Sequence, residues 1–138
     1  MLKKIKKTLG EQEIITIHDE ILAESAGLPG LSKQRPLISA LKRIDNHILY
    51  GKIEDIFEVA ALYGIAIAQG HSFNDGNKRT AMLSMYNFLY LNDIVLEVSD
   101  EEIEQMMVDI AEKKVARIEL AEWLRTHSFP SKLLDESE

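Results

Sequence analysis

Between Ile53 and Ala68 the chain is apolar nearly all round, with Ile56, Phe57, Ala60, Leu62 and Ile65 spread about the helix. A helix of this kind belongs in the middle of a domain, with other helices packed about it. The spacing predicts a second, mostly apolar helix over Asn77 to Leu91, closed by Asn92 and Asp93. The rest of the chain supplies amphipathic covers. Ile14, Ile17, Ile21 and Leu22 share a helical face, and Gly27, Pro29 and Gly30 stop that helix. Pro36 suits a first helical turn, after which Leu37, Leu41, Ile44, Ile48 and Leu49 stay on one side until Gly51. Ile94 to Val98 is at most one short strand. Ser99 with Glu102 is a capping-box pattern opening a helix that carries Ile103, Met106, Met107 and Ile110. A last helix, from about Ile118 to Thr126, places Leu120, Trp123 and Leu124 inward. The expected fold class is all-α, a compact bundle of about six helices. It is expected to fill residues 1–127, with 128–138 as a polar, frayed tail.

A chain of 138 residues is long enough for one core. It has no Cys, which excludes disulfides and thiolate metal sites. The first thirteen residues carry four lysines but no apolar stretch after them, so no signal peptide is expected. No apolar run approaches the roughly 18 residues needed to span a bilayer, so we expect a cytoplasmic protein without a membrane partner. Net charge is −7, from 23 acidic and 16 basic residues. That balance argues against direct nucleic-acid binding, which needs a basic face to release counterions. A local pair of cations can still hold a nucleotide.

Such a pair follows the loop between the two most apolar segments, His71-Ser72-Phe73-Asn74-Asp75-Gly76-Asn77-Lys78-Arg79. A helix start exposes unpaired N–H groups and the positive end of the helix dipole, which suits an anion. Gly76 can adopt backbone angles closed to other residues, letting amides converge on a phosphate. Lys78 and Arg79 oppose the dipole by about 0.3–1 kcal/mol each, a local conflict that a bound anion would offset. Asp75 is a hard carboxylate of the kind that holds Mg²⁺ beside phosphates. Asn77 offers a neutral donor. His71 is of the side-chain type suited to a general base near neutral pH. Phe73 is expected to plug into the core and fix the loop. The segment is not a Walker A loop, because five residues separate Gly70 from Gly76, Asn77 precedes Lys78, and no strand leads in. These residues indicate an anion site with a base and a metal ligand, without saying which part of a nucleotide moves.

HSFNDGNKR resembles the signature of the Fic/Doc superfamily, in the His-x-Phe-x-Asp-Ala/Gly-Asn-Lys-Arg form of Doc toxins. The likeness extends to His18-Asp19, Gly27-Leu28-Pro29-Gly30, Asp55-Ile56-Phe57-Glu58-Val59 and Thr80-Ala81. The resemblance implies a helical bundle with the motif at the start of a central helix. It also implies a toxin of a toxin–antitoxin pair. Its activity would be that of a protein kinase moving the γ-phosphate of ATP, with Mg²⁺, onto a threonine of elongation factor Tu. On this resemblance His71 is the base and Asp75 the Mg²⁺ ligand. Gly76 and Asn77 bind phosphates, and Lys78 and Arg79 neutralise transferring charge. AMP-transferring Fic proteins usually have Gly where this chain has Lys78, and a second Arg where it has Met82; both differences favour the Doc-type reaction. Gly76 stands where many Doc proteins carry Ala. The inhibitory Ser/Thr-x-x-x-Glu-Gly/Asn motif of many Fic proteins is broken by Ile21 after Thr16 to Glu20, so inhibition is expected in trans, from a segment of a cognate antitoxin.

The residues admit two other readings. One is AMP transfer to a protein hydroxyl. The other is a catalytically silent module that binds the antitoxin, against which the loop is complete. His18-Asp19 matches the metal-binding dipeptide of HD phosphohydrolases, but only a short lysine-rich start precedes it, so a structural or helix-surface role is expected. His47 and His127 are expected to be structural, and Met82, Met85, Met106 and Met107 core filler. Lys33, Gln34 and Arg35 lie where Fic-fold proteins often have a target-positioning flap.

Overall fold

The computed structural model describes residues 7–24, 27, 30, 37–50 and 53–132. Among these there are six helices: α1 (Glu11–Glu24), α2 (Leu37–Tyr50), α3 (Ile56–Gly70), α4 (Asn77–Leu91), α5 (Asp100–Ala111) and α6 (Arg117–Thr126). The all-α expectation holds. Two three-residue strands, β1 (Ile94–Leu96) and β2 (Ser128–Pro130), pair antiparallel, with Val95 opposite Phe129. The proposed helix stops at Pro29 and Gly51, the Pro36 turn and the Lys33-Gln34-Arg35 flap lie outside the described residues.

The all-apolar segment becomes the axis. α3 packs against α2, α4, α5 and α6, and buries Val59, Ala60, Ala61, Tyr63 and Ile67 almost completely. Its start is fixed twice. Asp55 caps it, Oδ1 accepting from Phe57 N at 3.0 Å, while Oδ2 pairs with Arg125 of α6. The Arg125 guanidinium also lies 4.8 Å over the Phe57 ring, and Arg117 approaches Glu58 at 3.5 Å. α4 crosses α3 closely because Gly64 has no side chain: a Cβ there would lie 2.3 Å from the sulfur of Met85, itself fully buried.

Asn92 ends α4 as the sequence indicates, and it does more. It is fully buried, with Nδ2 donating to Phe88 O at 2.8 Å and Lys7 O at 3.0 Å, while Oδ1 accepts from Lys7 N at 3.1 Å. The segment before α1 is therefore held against the end of α4. Tyr63 holds it a second time, its hydroxyl accepting from Leu9 N at 3.0 Å, and burial pushes the phenol up to about 12. Ser99 Oγ accepts from Glu102 N at 3.3 Å and opens α5 as predicted.

One expectation is corrected. Ser128 to Pro130 is not the start of a frayed tail, because it pairs with β1, and Ser131 N donates to Asp93 O at 2.9 Å. His127 precedes it and bridges to Glu102 at 2.9 Å, while its Nδ1 lies 2.8 Å from Trp123 O. Polar composition hid the strand, since the pairing is made by backbone groups that any sequence supplies. No helix among the described residues is long and apolar enough to cross a membrane.

Gly64→Ala tests the α3–α4 crossing. Alanine gains about 1 kcal/mol of helix propensity, but overpacking a filled core costs about 1–3 kcal/mol. The urea midpoint is expected to fall with an unchanged m-value, for a net loss of up to roughly 2 kcal/mol.

Candidate active site

α3 stops because His71 turns left-handed, at φ 52° and ψ 37°. That conformation costs a non-glycine residue about 1 kcal/mol or more, and it places His71 at the exposed edge of the loop. Gln69 steadies this last turn from the other side, donating to Ile110 O of α5 at 2.9 Å.

The chain then dives inward. Ser72 and Phe73 are 1% and 3% exposed, so Phe73 plugs the core as expected. Asn77, the first residue of α4, closes on it from ahead. Its Oδ1 accepts from Phe73 N at 3.1 Å, and its Nδ2 donates to Phe73 O at 2.9 Å. The three residues between the two are thereby folded into a closed ring. Asn77 is thus a clamp on the loop as well as a candidate phosphate donor, since only part of its amide hydrogen-bonding capacity is used on Phe73.

Beneath the ring lies His18 of α1, 1% exposed. Its imidazole stacks on Phe73 with centroids 3.9 Å apart and planes 11° from parallel. Its Nε2 lies 2.7 Å from the carbonyl oxygen of Asp75. The expected structural role of His18-Asp19 is therefore met by the histidine, whereas Asp19 is exposed and 3.4 Å from His18 Nδ1. Sequence reading passed over the link to the loop, although a signal was present. His18 falls four residues after Ile14 and three before Ile21, on the apolar face of its helix.

Two glycines let a neighbouring segment press on the loop. Gly30 O accepts from Asn74 N at 3.1 Å, and a Cβ on Gly27 would approach Asp75 Oδ2 to 3.2 Å. Gly76 caps α4 at φ 77° and ψ 16°, the left-handed geometry predicted for it. Its N–H meets Asp75 Oδ1 at 2.8 Å, so this amide already faces an anionic oxygen. The first turn of α4 then carries the exposed Lys78 and Arg79 and no acid.

Beside those two cations a cavity of about 780 Å³ opens between α1, α4 and α5. Ile21, Met82, Leu83, Ile103 and Met107 give it apolar walls, and Glu24 and Glu104 add carboxylates. It takes in Lys78 and Arg79 but not His71 or Asp75, which lie elsewhere on the loop. No cluster of three or more His, Asp or Glu able to hold a metal occurs among the described residues. A single carboxylate such as Asp75 fits a Mg²⁺ ion that arrives with phosphates, because Mg²⁺ is commonly held by one or two carboxylates, phosphate oxygens and water.

An all-helical domain with a clamped, glycine-capped and cationic helix start of this kind offers a place suited to an anion. The profile of the Fic/DOC family matches residues 8–89. The chain belongs to the Fic/DOC family. It is also 36% identical over 117 residues to "Protein kinase doc" of Escherichia phage P1, across 85% of this chain and 92% of that protein.

Asn77→Ala should open the ring. Two backbone groups of the buried Phe73 lose their partner, which costs about 1–3 kcal/mol. Amide exchange at Phe73 is expected to become fast while exchange in the middle of α3 stays slow.

Proposed function

We propose that this chain is the toxin of a toxin–antitoxin pair and a Doc-type protein kinase. It moves the γ-phosphate of ATP onto a Ser or Thr hydroxyl of a translation factor, elongation factor Tu, and so inhibits translation. The observation that carries this reading is the first turn of α4, where Gly76, Asn77, Lys78 and Arg79 turn a helix start into a cationic cradle. The name of the phage P1 relative supports a kinase.

Phosphoryl transfer asks a protein chiefly to position groups and stabilise charge. His71, exposed at the loop's edge, takes the proton of the target hydroxyl as its oxygen bonds to the γ-phosphorus. The bond to the β–γ bridging oxygen breaks and ADP leaves with that electron pair. Lys78, Arg79 and the amides of the first turn hold the oxygens on which charge accumulates. Asp75 is the carboxylate that would hold Mg²⁺, which supplies charge neutralisation between phosphate groups when bound. Met82 favours γ- over α-phosphate transfer. It is buried one turn beyond Arg79, so an apolar thioether stands where AMP-transferring relatives would place a second guanidinium. The cavity's apolar walls beside Lys78 suit an antitoxin helix, laid in as amphipathic helices enter grooves, and inhibition in trans follows from that placement.

Incubation with elongation factor Tu, Mg²⁺ and ATP labelled at either the α- or the γ-phosphate tests the reading. Label is expected to move from the γ position, and His71→Ala is expected to slow the transfer by about 10²–10⁴-fold. Movement of α-label would mean AMP transfer instead. If neither label moves and His71→Ala is as toxic in cells as the unaltered chain, the protein is a silent module.

A further inference from the structure

We infer that His18 is a positioning residue of this site: it fixes the orientation of the peptide unit between Asp75 and Gly76, and so aims the Gly76 N–H at the phosphate. This rests on the reading of the loop as a phosphate cradle. A carbonyl oxygen only accepts, so the 2.7 Å contact between His18 Nε2 and Asp75 O requires the proton on Nε2. The ring cannot swing away, because it is buried and stacked on Phe73 at 3.9 Å. Gly76 lies directly against it, since a Cβ built there would sit 3.6 Å from both Cδ2 and Nε2.

A trans peptide is planar, and its C=O and N–H point in opposite directions. With the carbonyl of Asp75 fastened to His18 on the α1 side, the N–H of Gly76 must face the other way. There it meets the Asp75 carboxylate at 2.8 Å, which a phosphate oxygen replaces at this donor when Asp75 turns to Mg²⁺. The glycine does not fix this arrangement by itself. Gly76 is at φ 77°, and a glycine admits either orientation of the preceding peptide without a steric penalty. A flipped unit would point the Asp75 carbonyl oxygen at the phosphate, replacing attraction by repulsion. The bond from α1 excludes that flip.

Two variants separate the donor from the packing. His18→Phe keeps a ring to stack on Phe73 and lacks the donor. His18→Gln restores an N–H at the same number of bonds from Cα. His18→Phe is expected to lower kcat/KM for ATP by about 10²-fold per folded molecule, as a small misplacement of a binding group does, and His18→Gln is expected to recover at least tenfold of that. In the unaltered protein, Mg²⁺–ATP should shift the Gly76 amide resonance, and His18→Phe should abolish that shift. A role in packing alone would lower the melting temperature of His18→Phe while leaving its kcat/KM and its Gly76 response intact, which overturns the inference. Should His18→Phe not fold, the ¹⁵N resonances of His18 in the unaltered protein decide the matter: a protonated Nε2 upholds the inference and a bare one overturns it. The amide response is read without any transfer, so absence of γ-transfer alone counts against the kinase and leaves this inference standing. A Gly76 amide that ignores nucleotide in the unaltered protein sinks the cradle and the inference together.

Discussion

The site depends on how a short loop is held still. Asn77 grips both backbone groups of Phe73, and Phe73 in turn is sunk in the core against His18. Each contact makes the next one possible. The buried ring fixes Phe73, the amide clamp fixes the start of α4 relative to it, and the residues between them have little freedom left. Their polar groups then point where the closed geometry sends them, with the Asp75 carbonyl toward α1 and the Gly76 amide toward an anionic oxygen. A loop so constrained loses little further entropy when a ligand binds, which is the general advantage of a preformed site.

Charge at the helix starts tells the same story by contrast. α5 opens with Asp100, Glu101 and Glu102, and α1 has Glu11 and Glu13 in its first turn, the signs that a helix dipole favours. α4 opens with Lys78 and Arg79 and no acid. The chain thus follows the electrostatic preference where a helix only has to be stable. Among the described residues it departs from that preference at α4, a start preceded by a left-handed glycine and a clamped loop. That departure costs little in stability, and an anion placed there would meet two cations and the positive end of the dipole at once.

The bundle was legible because burial imposes a period. Ile56 to Ala68 has apolar residues on every side, and only a helix surrounded by other helices can satisfy that pattern. Local rules gave Ser99 and Asn92 their places near helix ends, and the structure adds Asp55 as the cap of α3 and partners distant in sequence: Arg125 for Asp55 and Lys7 for Asn92. β2 escaped notice for the same reason, since Ser128 to Pro130 has no periodic signature and becomes a strand only because Ile94 to Leu96 lies beside it. Of the loop, the identities of His71, Phe73, Asp75, Gly76, Asn77, Lys78 and Arg79 were readable. Their division of labour was not. Asn77 reads as a phosphate donor by type, and only the fold shows it holding Phe73.

By itself the sequence determined the helical class, the central place of α3, the break before α4 and the chemical inventory of the motif, because those follow from periodicity, backbone permissiveness and the nature of side chains. Tertiary structure alone decided which way the inventory faces. His18 is 57 residues from Asp75 along the chain, and nothing local to either residue announces that they meet. The packing of α1 against α4 brings them together. The orientation of one peptide unit, and with it the direction of a backbone donor, follows from that long-range contact.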